Sequence, residues 1–220
     1  MKIQNNHSIN ILLLSLFLLP LASCSESSTE PTEIVPQEVV IGSYTWMTSN
    51  LNVTRFSNGD TIPEAKTELE WYLAGKYQKP AWCYYNNDPK NGEKYGKMYN
   101  WYAINDYRGL APRGYRLADY DAWYELIELS GGFSRAGYYL KSKYGWPNRE
   151  NGVNEVQFTA FPGGCRFHQG EFSSIGKVSY WWVDGFDECI YVRLMGFNTE
   201  VELSQRNLKN YGYYVRCIKY

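Results

Sequence analysis

The pattern of apolar and polar positions divides the chain into three segments. Residues 11–21 (ILLLSLFLLPL) are almost entirely apolar, but this run is too short to span a bilayer and suits a secretory signal. Residues 25–37 (SESSTEPTEIVPQ) are polar and have almost nothing to bury, which predicts a disordered tether. We therefore expect a signal peptide over 1–23, a tether over 24–40 and one folded domain over 41–220.

The first half of the domain has the pattern of helices. The segment 95–102 places apolar residues at spacings of three and four, as on one face of a helix. A second helix is expected to begin at Asp119, a good N-cap residue, and to end at the two glycines after Ser130. An earlier helix is expected to run from Thr61 to Gly75. The sequence therefore predicts two or three helices.

The second half of the domain has a different pattern, in which short apolar and aromatic runs alternate with Gly, Asn and Pro. Such a pattern is typical of short strands joined by turns. The candidate strands are 156–161, 165–168, 179–183, 189–195 and 213–219. Helices first and strands later indicate an α+β domain with several short, mostly antiparallel strands.

Residues 21–24 (LASC) end the apolar run and resemble a bacterial lipobox, in which the cysteine is lipidated and becomes the mature N-terminus. The resemblance implies acyl chains on Cys24 that anchor the protein to a membrane. The tether is acidic at Glu26, Glu30 and Glu33, which resembles the surface-export signals of some Bacteroidetes lipoproteins. We expect an outer membrane lipoprotein and favour the cell surface over the periplasmic face. The alternative is an ordinary signal peptide followed by an unmodified cysteine.

The charged residues and histidines exclude several classes of function. The chain has 22 Lys and Arg against 23 Asp and Glu, and the basic residues are scattered, so no nucleic-acid partner is expected. His7 lies in the signal, which leaves His168 alone in the domain and excludes a site with several histidines. Asp184, Asp187 and Glu188 share one loop, which we interpret as solvated rather than calcium-binding. We predict no metal and no cofactor, and expect His168 to be a surface or hydrogen-bonded residue.

Aromatic side chains are the strongest remaining signal, since 21 Tyr and 8 Trp supply rigid contact area for sugars or peptides wherever they are exposed. We expect most of the tryptophans to be structural. Neighbouring side chains on a strand point to opposite faces, so one of Tyr84 and Tyr85 should face outward. By the same reasoning, one of Trp181 and Trp182 should face outward. The candidate ligand platform comprises these aromatic residues together with Asp184.

Four cysteines follow Cys24, namely Cys83, Cys165, Cys189 and Cys217. An even number in an exported protein predicts two disulfide bonds, for which three connectivities are possible. The alternative is that the four are buried free thiols. The residues themselves leave both interpretations open.

Four runs of the domain are distinctive: 95–103 (YGKMYNWYA), 110–117 (LAPRGYRL), 158–166 (FTAFPGGCR) and 215–219 (VRCIK). In this order they resemble the Fibrobacter succinogenes major paralogous domain family, and the resemblance covers nearly all of the domain. More distantly, the runs are similar to the C-type-lectin-like fold shared with formylglycine-generating enzymes. That similarity implies a C-type-lectin-like α+β domain, and by analogy the disulfide pairs would be Cys165–Cys189 and Cys83–Cys217.

The lipobox, the tether and the aromatic content lead us to expect a lipid-anchored binding or adhesion module of the cell envelope. It would recognise a glycan or a protein and would not be an enzyme. One alternative is an enzyme related to the formylglycine-generating group, which would depend on a reactive Cys217. The other is a purely structural protein of the envelope.

Overall fold

The computed structural model of the chain describes residues 37–147, 150–185, 189–206 and 208–220. Contacts divide the chain into Met1–Ile34 and Val35–Tyr220, and all described residues belong to the second unit. The predicted signal peptide, the lipidation of Cys24, and the loop residues Asp187 and Glu188 lie outside the described residues. None of the helices in the described ranges combines the length and apolar character that crossing a bilayer requires.

The described residues form five α-helices and eleven short strands. The helices are α1 (Glu68–Lys76), α2 (Pro89–Tyr95), α3 (Trp101–Ile104), α4 (Tyr120–Leu129) and α5 (Ala136–Leu140), and a 3₁₀-helix spans Tyr85–Asn87. The strands are β1 (Glu38–Ile41), β2 (Tyr44–Met47), β3 (Trp82–Cys83), β4 (Met98–Tyr99), β5 (Tyr115–Leu117), β6 (Cys165–Arg166), β7 (Phe172–Ser173), β8 (Val178–Val183), β9 (Ile190–Met195), β10 (Val201–Gln205) and β11 (Cys217–Lys219). This mixed architecture confirms the coarse prediction, with more helices than the two or three expected.

The strands pair in small antiparallel sheets. One sheet has the order β1-β2-β11-β5, another has the order β10-β9-β8, and two ribbons join β3 to β4 and β6 to β7. In the first sheet, Ile218 of β11 lies opposite Trp46 of β2 on one side and Arg116 of β5 on the other. The last strand therefore closes the domain against its first hairpin.

Helix α4 forms where the sequence predicts it, because its signals are local. The Asp119 side chain accepts a hydrogen bond from the backbone N–H of Ala122 at 3.0 Å, which caps the helix. Trp123 and Leu126 are fully buried on its inner face. Gly131 follows the helix with a φ of 96°, a conformation that glycine adopts without steric cost.

The helix predicted over 95–102 is wrong. Helix α2 ends before Gly96, whose φ of 77° turns the chain, and a Cβ there would lie 3.0 Å from the carbonyl oxygen of Leu51. The next residues form β4, and Asn100 then caps the one-turn helix α3. Met98 and Tyr99 of β4 are both buried although they are neighbours on a strand. Together with apolar residues of the flanking short helices, they give the same spacing of apolar positions as one longer helix.

Two other elements differ from the prediction. Helix α1 starts later than Thr61, because Thr67 and Glu70 form a capping box at its N-terminus. Residues 156–161 are buried in part but form no strand, since Gln157 and Thr159 adopt positive φ values of 58° and 57°. Local backbone conformation therefore overrides the apolar pattern in that run.

The core consists of two clusters of apolar residues that cover both faces of β8. Trp181 belongs to the first cluster, where its ring lies 5.9 Å from that of Trp123. Trp182 belongs to the second cluster, where its ring lies 4.5 Å from that of Tyr213. Strand β8 is therefore an internal partition of the domain rather than a surface strand.

Among the described residues, four cationic side chains are buried in this core: Lys97, Lys141, Arg166 and Arg216. Each donates hydrogen bonds to main-chain carbonyl oxygens and lies over at least one aromatic ring, and none forms an ion pair with a described carboxylate. Burying a charge without a partner costs free energy. The hydrogen bonds and the cation–π contacts offset that cost for these four side chains. The four side chains tie together segments that are distant in sequence.

Arg166 illustrates the arrangement. Its guanidinium lies 4.8 Å from the ring of Trp71 and 4.5 Å from the ring of Phe172. It donates at 2.7 to 2.9 Å to three main-chain carbonyls, those of Ala65, Thr67 and Gly170. Arg166 thereby fixes the start of α1 against the β6–β7 ribbon, which is the framework for the groove described next.

Candidate ligand-binding groove

The predicted platform tryptophans are both buried, which contradicts the expectation that one faces outward. Trp181 is 0% exposed and Trp182 is 2% exposed. Their indole N–H groups donate to Asn50 Oδ1 at 2.8 Å and to the carbonyl oxygen of Tyr99 at 2.7 Å. The two side chains do point to opposite faces of β8, but the core covers both faces.

The two platform tyrosines are also mostly internal. Tyr85 is buried, lies 5.2 Å from the ring of Phe172, and has its pKa raised by burial. Tyr84 is half-buried and packs edge-on against Trp82 at 5.1 Å. The alternation expected of a strand does not apply here, because β3 ends before Tyr84 and a 3₁₀-helix begins at Tyr85.

Asp184 directly follows β8, two residues after the buried Trp182. Its backbone N–H donates to the carbonyl oxygen of Ala118 at 3.0 Å, and it lines a cleft of about 200 Å³ beside Arg116 and Tyr220. Burial raises the pKa of the Asp184 carboxyl, and the nearby charge of Asp119 raises that pKa further. The predicted platform is therefore not assembled in the structure.

The four cysteines are free thiols, so the predicted disulfide bonds are not formed among the described residues. Cys83 lies in the first core cluster, whereas Cys165, Cys189 and Cys217 lie in the second. Burial raises the pKa of all four thiols, to about 12 for Cys83 and for Cys165. They pack as small apolar side chains, which is the alternative that the sequence left open.

An open cavity with a volume of about 630 Å³ lies elsewhere. We call it the Tyr211 groove, and it is defined by the residues that line it: Gln78, Tyr102, His168, Leu208, Lys209, Asn210 and Tyr211. None of these residues is acidic. They come from four separate parts of the chain, at the end of α1, in α3, beyond β6 and before β11.

The floor of the groove is the turn 208–211, which two hydrogen bonds fasten to the helices. Trp71 of α1 donates its indole N–H to the carbonyl oxygen of Asn210 at 2.9 Å. The backbone N–H of Trp101, at the start of α3, donates to the carbonyl oxygen of Lys209 at 3.1 Å. Because both helices are anchored in the core, the turn is held in one position relative to them.

Aromatic rings form the wall of the groove. The ring of Tyr211 lies 5.6 Å from that of Phe167, 5.7 Å from that of His168, and 6.0 Å from that of Tyr213. Tyr213 is buried and supports Tyr211 from behind, whereas Tyr211 itself is partly exposed. Tyr102 supplies a second partly exposed ring. A ligand in the groove would therefore meet preformed aromatic surface.

Polar groups complete the lining. The ammonium of Lys209 lies 4.2 Å above the ring of Trp101. Asn210 packs so closely on α1 that a Cβ on Gly75 would lie 2.7 Å from Asn210 Cγ, and Asn210 Oδ1 accepts no hydrogen bond from a described residue. Gln78 is exposed at the end of α1. Amide, ammonium and imidazole groups thus surround the aromatic wall.

His168 is the one residue of the groove that the sequence marks as a candidate for chemistry, and its exposure agrees with the predicted surface or hydrogen-bonded position. The sequence pattern marks none of the other lining residues as functional, and it places Tyr102 on the apolar face of a predicted helix. The signal that could have found some of them is the run 208–213 (LKNYGY), where polar and aromatic residues mix just before the last strand. Within the described ranges, no three His, Cys, Asp or Glu side chains are arranged to hold a metal ion.

Comparison with known proteins assigns the chain to a family. Comparisons with curated proteins and with solved structures found no match. The family model of the Fibrobacter succinogenes major domain matches residues 39–219, which is nearly all of the described chain and confirms the resemblance seen in the sequence. The chain belongs to the Fibrobacter succinogenes major domain family.

Proposed function

We propose that this protein is a non-catalytic binding module of the cell envelope, anchored through a lipid on Cys24, that recognises a glycan in the Tyr211 groove. The observation that carries the proposal is the groove itself, in which rigid aromatic rings stand beside amide and cationic hydrogen-bond donors. Sugars are bound in this way, with an apolar ring face against an aromatic side chain and hydroxyl groups on polar neighbours.

The dimensions of the groove favour a glycan over a protein ligand. A volume of about 630 Å³ lies in the range of small-molecule sites, which is roughly 300–1,000 Å³. A stable protein interface instead needs a surface of about 800 Å² on each partner. A glycan segment of a few sugar units suits a concave site of this kind.

We also propose that the domain has a C-type-lectin-like arrangement. The pairing of β11 with both β2 and β5 supports it, since the end of the chain then closes on its beginning. An enzyme that depends on Cys217 has less support, because a buried thiol with a raised pKa holds little of the reactive thiolate form.

A glycan array probed with the full-length protein tests the proposal, followed by affinity measurements on any ligand found. We expect Tyr211→Ala to weaken binding at least about tenfold, which is a loss of about 1.4 kcal/mol, because it removes the supported ring of the wall.

Tyr107→Ala is the matched control, because Tyr107 is 95% exposed and lies outside the groove. Its affinity should equal that of the unaltered protein. Equal affinity of the Tyr211→Ala variant, or no glycan bound by a folded protein, would contradict the proposed function.

A further inference from the structure

We infer that the ligand of the Tyr211 groove is an anionic saccharide, one that carries carboxylate groups. This inference rests on the proposed function and narrows the class of glycan. Its basis is the polar lining of the groove, where Lys209 and His168 lie together with no acidic residue among the lining residues that the structure describes.

Lys209 is placed to receive an anion. Its ammonium lies over the Trp101 ring, and it forms no ion pair with a described carboxylate. An aromatic face attracts the positive charge but does not consume its three hydrogen-bond donors. The side chain is half-buried, which reduces screening by salt. A carboxylate in the groove would complete the interactions of this ammonium.

His168 lies beside the same aromatic wall. Its ring is exposed and lies 5.7 Å from that of Tyr211. Like Lys209, it has no carboxylate partner in the part of the chain that the structure describes. A sugar that packs on Tyr211 would therefore have an imidazole and an ammonium available for its charged substituent.

Several cations elsewhere on the described surface are paired with carboxylates. Arg108 pairs with Asp60 and Asp106, and Arg116 pairs with Asp119. Three further pairs are Lys66–Glu64, Arg193–Glu202 and Lys219–Glu38. The groove combines the Lys209 ammonium with a concave shape and with no acidic residue among the described lining residues, which favours an anionic ligand.

The aromatic and amide groups favour an acidic saccharide over an acidic peptide. Tyr102 and Tyr211 provide two ring faces suited to the apolar side of a sugar, and Gln78 provides an exposed amide suited to hydroxyl groups. An acidic peptide would use the cations but would leave these other groups without matching partners.

The test measures the affinity of the full-length protein for matched trisaccharides by calorimetry. The acidic set comprises oligomers of galacturonic, glucuronic and mannuronic acid, and the neutral set comprises oligomers of galactose, glucose and mannose. We expect at least one acidic oligomer to bind about tenfold or more tightly than its neutral counterpart. Lys209→Met should remove most of that preference while keeping the aliphatic packing on Trp101.

Lys90→Met serves as the control, because Lys90 is an exposed lysine outside the groove. It should leave the preference unchanged. Neutral oligomers that bind as well as acidic ones, with loss of binding in Tyr211→Ala, would overturn this inference and leave the proposed function standing. Binding of a hexaglutamate peptide in place of the acidic saccharides, or of no probe at all, would overturn this inference, and the glycan array then decides separately whether the proposed function stands.

Discussion

Single buried side chains in this domain hold together segments that are distant in sequence. Arg166 is the example with the clearest consequence. Its guanidinium satisfies three carbonyl oxygens from two segments about a hundred positions apart in sequence, as the separations of 99 and 101 residues show. Removing it leaves buried acceptors without donors, which costs more than the loss of an ordinary surface contact.

We expect Arg166→Met to lower the free energy of unfolding by about 3 kcal/mol, because methionine fills the space but donates no hydrogen bond. Urea denaturation followed by tryptophan fluorescence measures this change. Arg113→Met is the matched control, since Arg113 is exposed, and its effect should stay within about 0.5 kcal/mol. If the two substitutions lowered the free energy of unfolding equally, the buried guanidinium would contribute no more to stability than an exposed one.

The cysteines give a second prediction at this scale. Because the four thiols of the domain are free and buried, a thiol reagent should label none of them in the native protein and all four in urea without any reductant. Absorbance of the released chromophore counts the labelled groups. If no thiol reacted in urea until a reductant was added, the protein would contain the disulfides that the structure lacks.

The Cys83 thiol should also make stability depend on pH. Burial raises its pKa from 9.0 to about 12, so the folded state keeps a proton that the unfolded state releases between those values. Its contribution is complete below the unfolded pKa and is lost as the pH rises toward the folded pKa. Over that range, the stability of the unaltered protein should fall more steeply than that of Cys83→Ala, by about 1.4 kcal/mol per pH unit.

Urea titrations from about pH 8 to about pH 10.5 measure both slopes, and the difference between them isolates this thiol from the other titrating groups. Parallel slopes for the two proteins would mean that Cys83 titrates in the folded state as it does in the unfolded chain.

At the scale of elements, helix α1 packs against the turn 208–211, which lines the groove, through the close contact of Gly75 with Asn210. Exchanging glycine for alanine within a helix usually stabilises it, by up to about 1 kcal/mol. We expect the opposite for Gly75→Ala, because the new Cβ would lie 2.7 Å from Asn210 Cγ and displace the turn. Stability and ligand affinity should fall together.

A double-mutant cycle provides the control. In an Asn210→Gly background the obstructing side chain is gone, so Gly75→Ala should recover the usual gain in helix stability. Thermal unfolding of the four proteins gives the result. A stabilising effect of Gly75→Ala in the presence of Asn210 would show that the packing between helix and turn is looser than described.

Elements differ in how far the sequence determines them. Helix α4 could be predicted because Asp119 and Gly131 mark its two ends within the chain itself. Strand β4 could not be predicted, because its two apolar residues and those of the neighbouring helices are spaced as on one face of a single helix. Trp181 and Trp182 do point to opposite faces of β8, as predicted. The expectation that one of them is exposed is wrong, because tertiary packing covers both faces of the strand.

At the scale of the whole molecule, the groove is a product of topology. Its lining comes from Gln78, Tyr102, His168 and the turn 208–211, and nothing in the chain marks these segments as neighbours. The sequence could therefore supply the family and the mixed α/β class but not the site. The sequence pattern favoured the pair Trp181 and Trp182, which is buried in the core. It did not indicate Tyr211, a single aromatic residue in a turn that lines the groove.

The most direct test of the central claim is a crystal structure of the full-length protein with a saccharide bound. Our account predicts a sugar ring within about 4 Å of the Tyr211 ring, the usual distance of apolar contact. Its charged substituent should reach Lys209 or His168. A saccharide bound anywhere else, such as the cleft beside Asp184, with the Tyr211 groove left empty, would contradict the account.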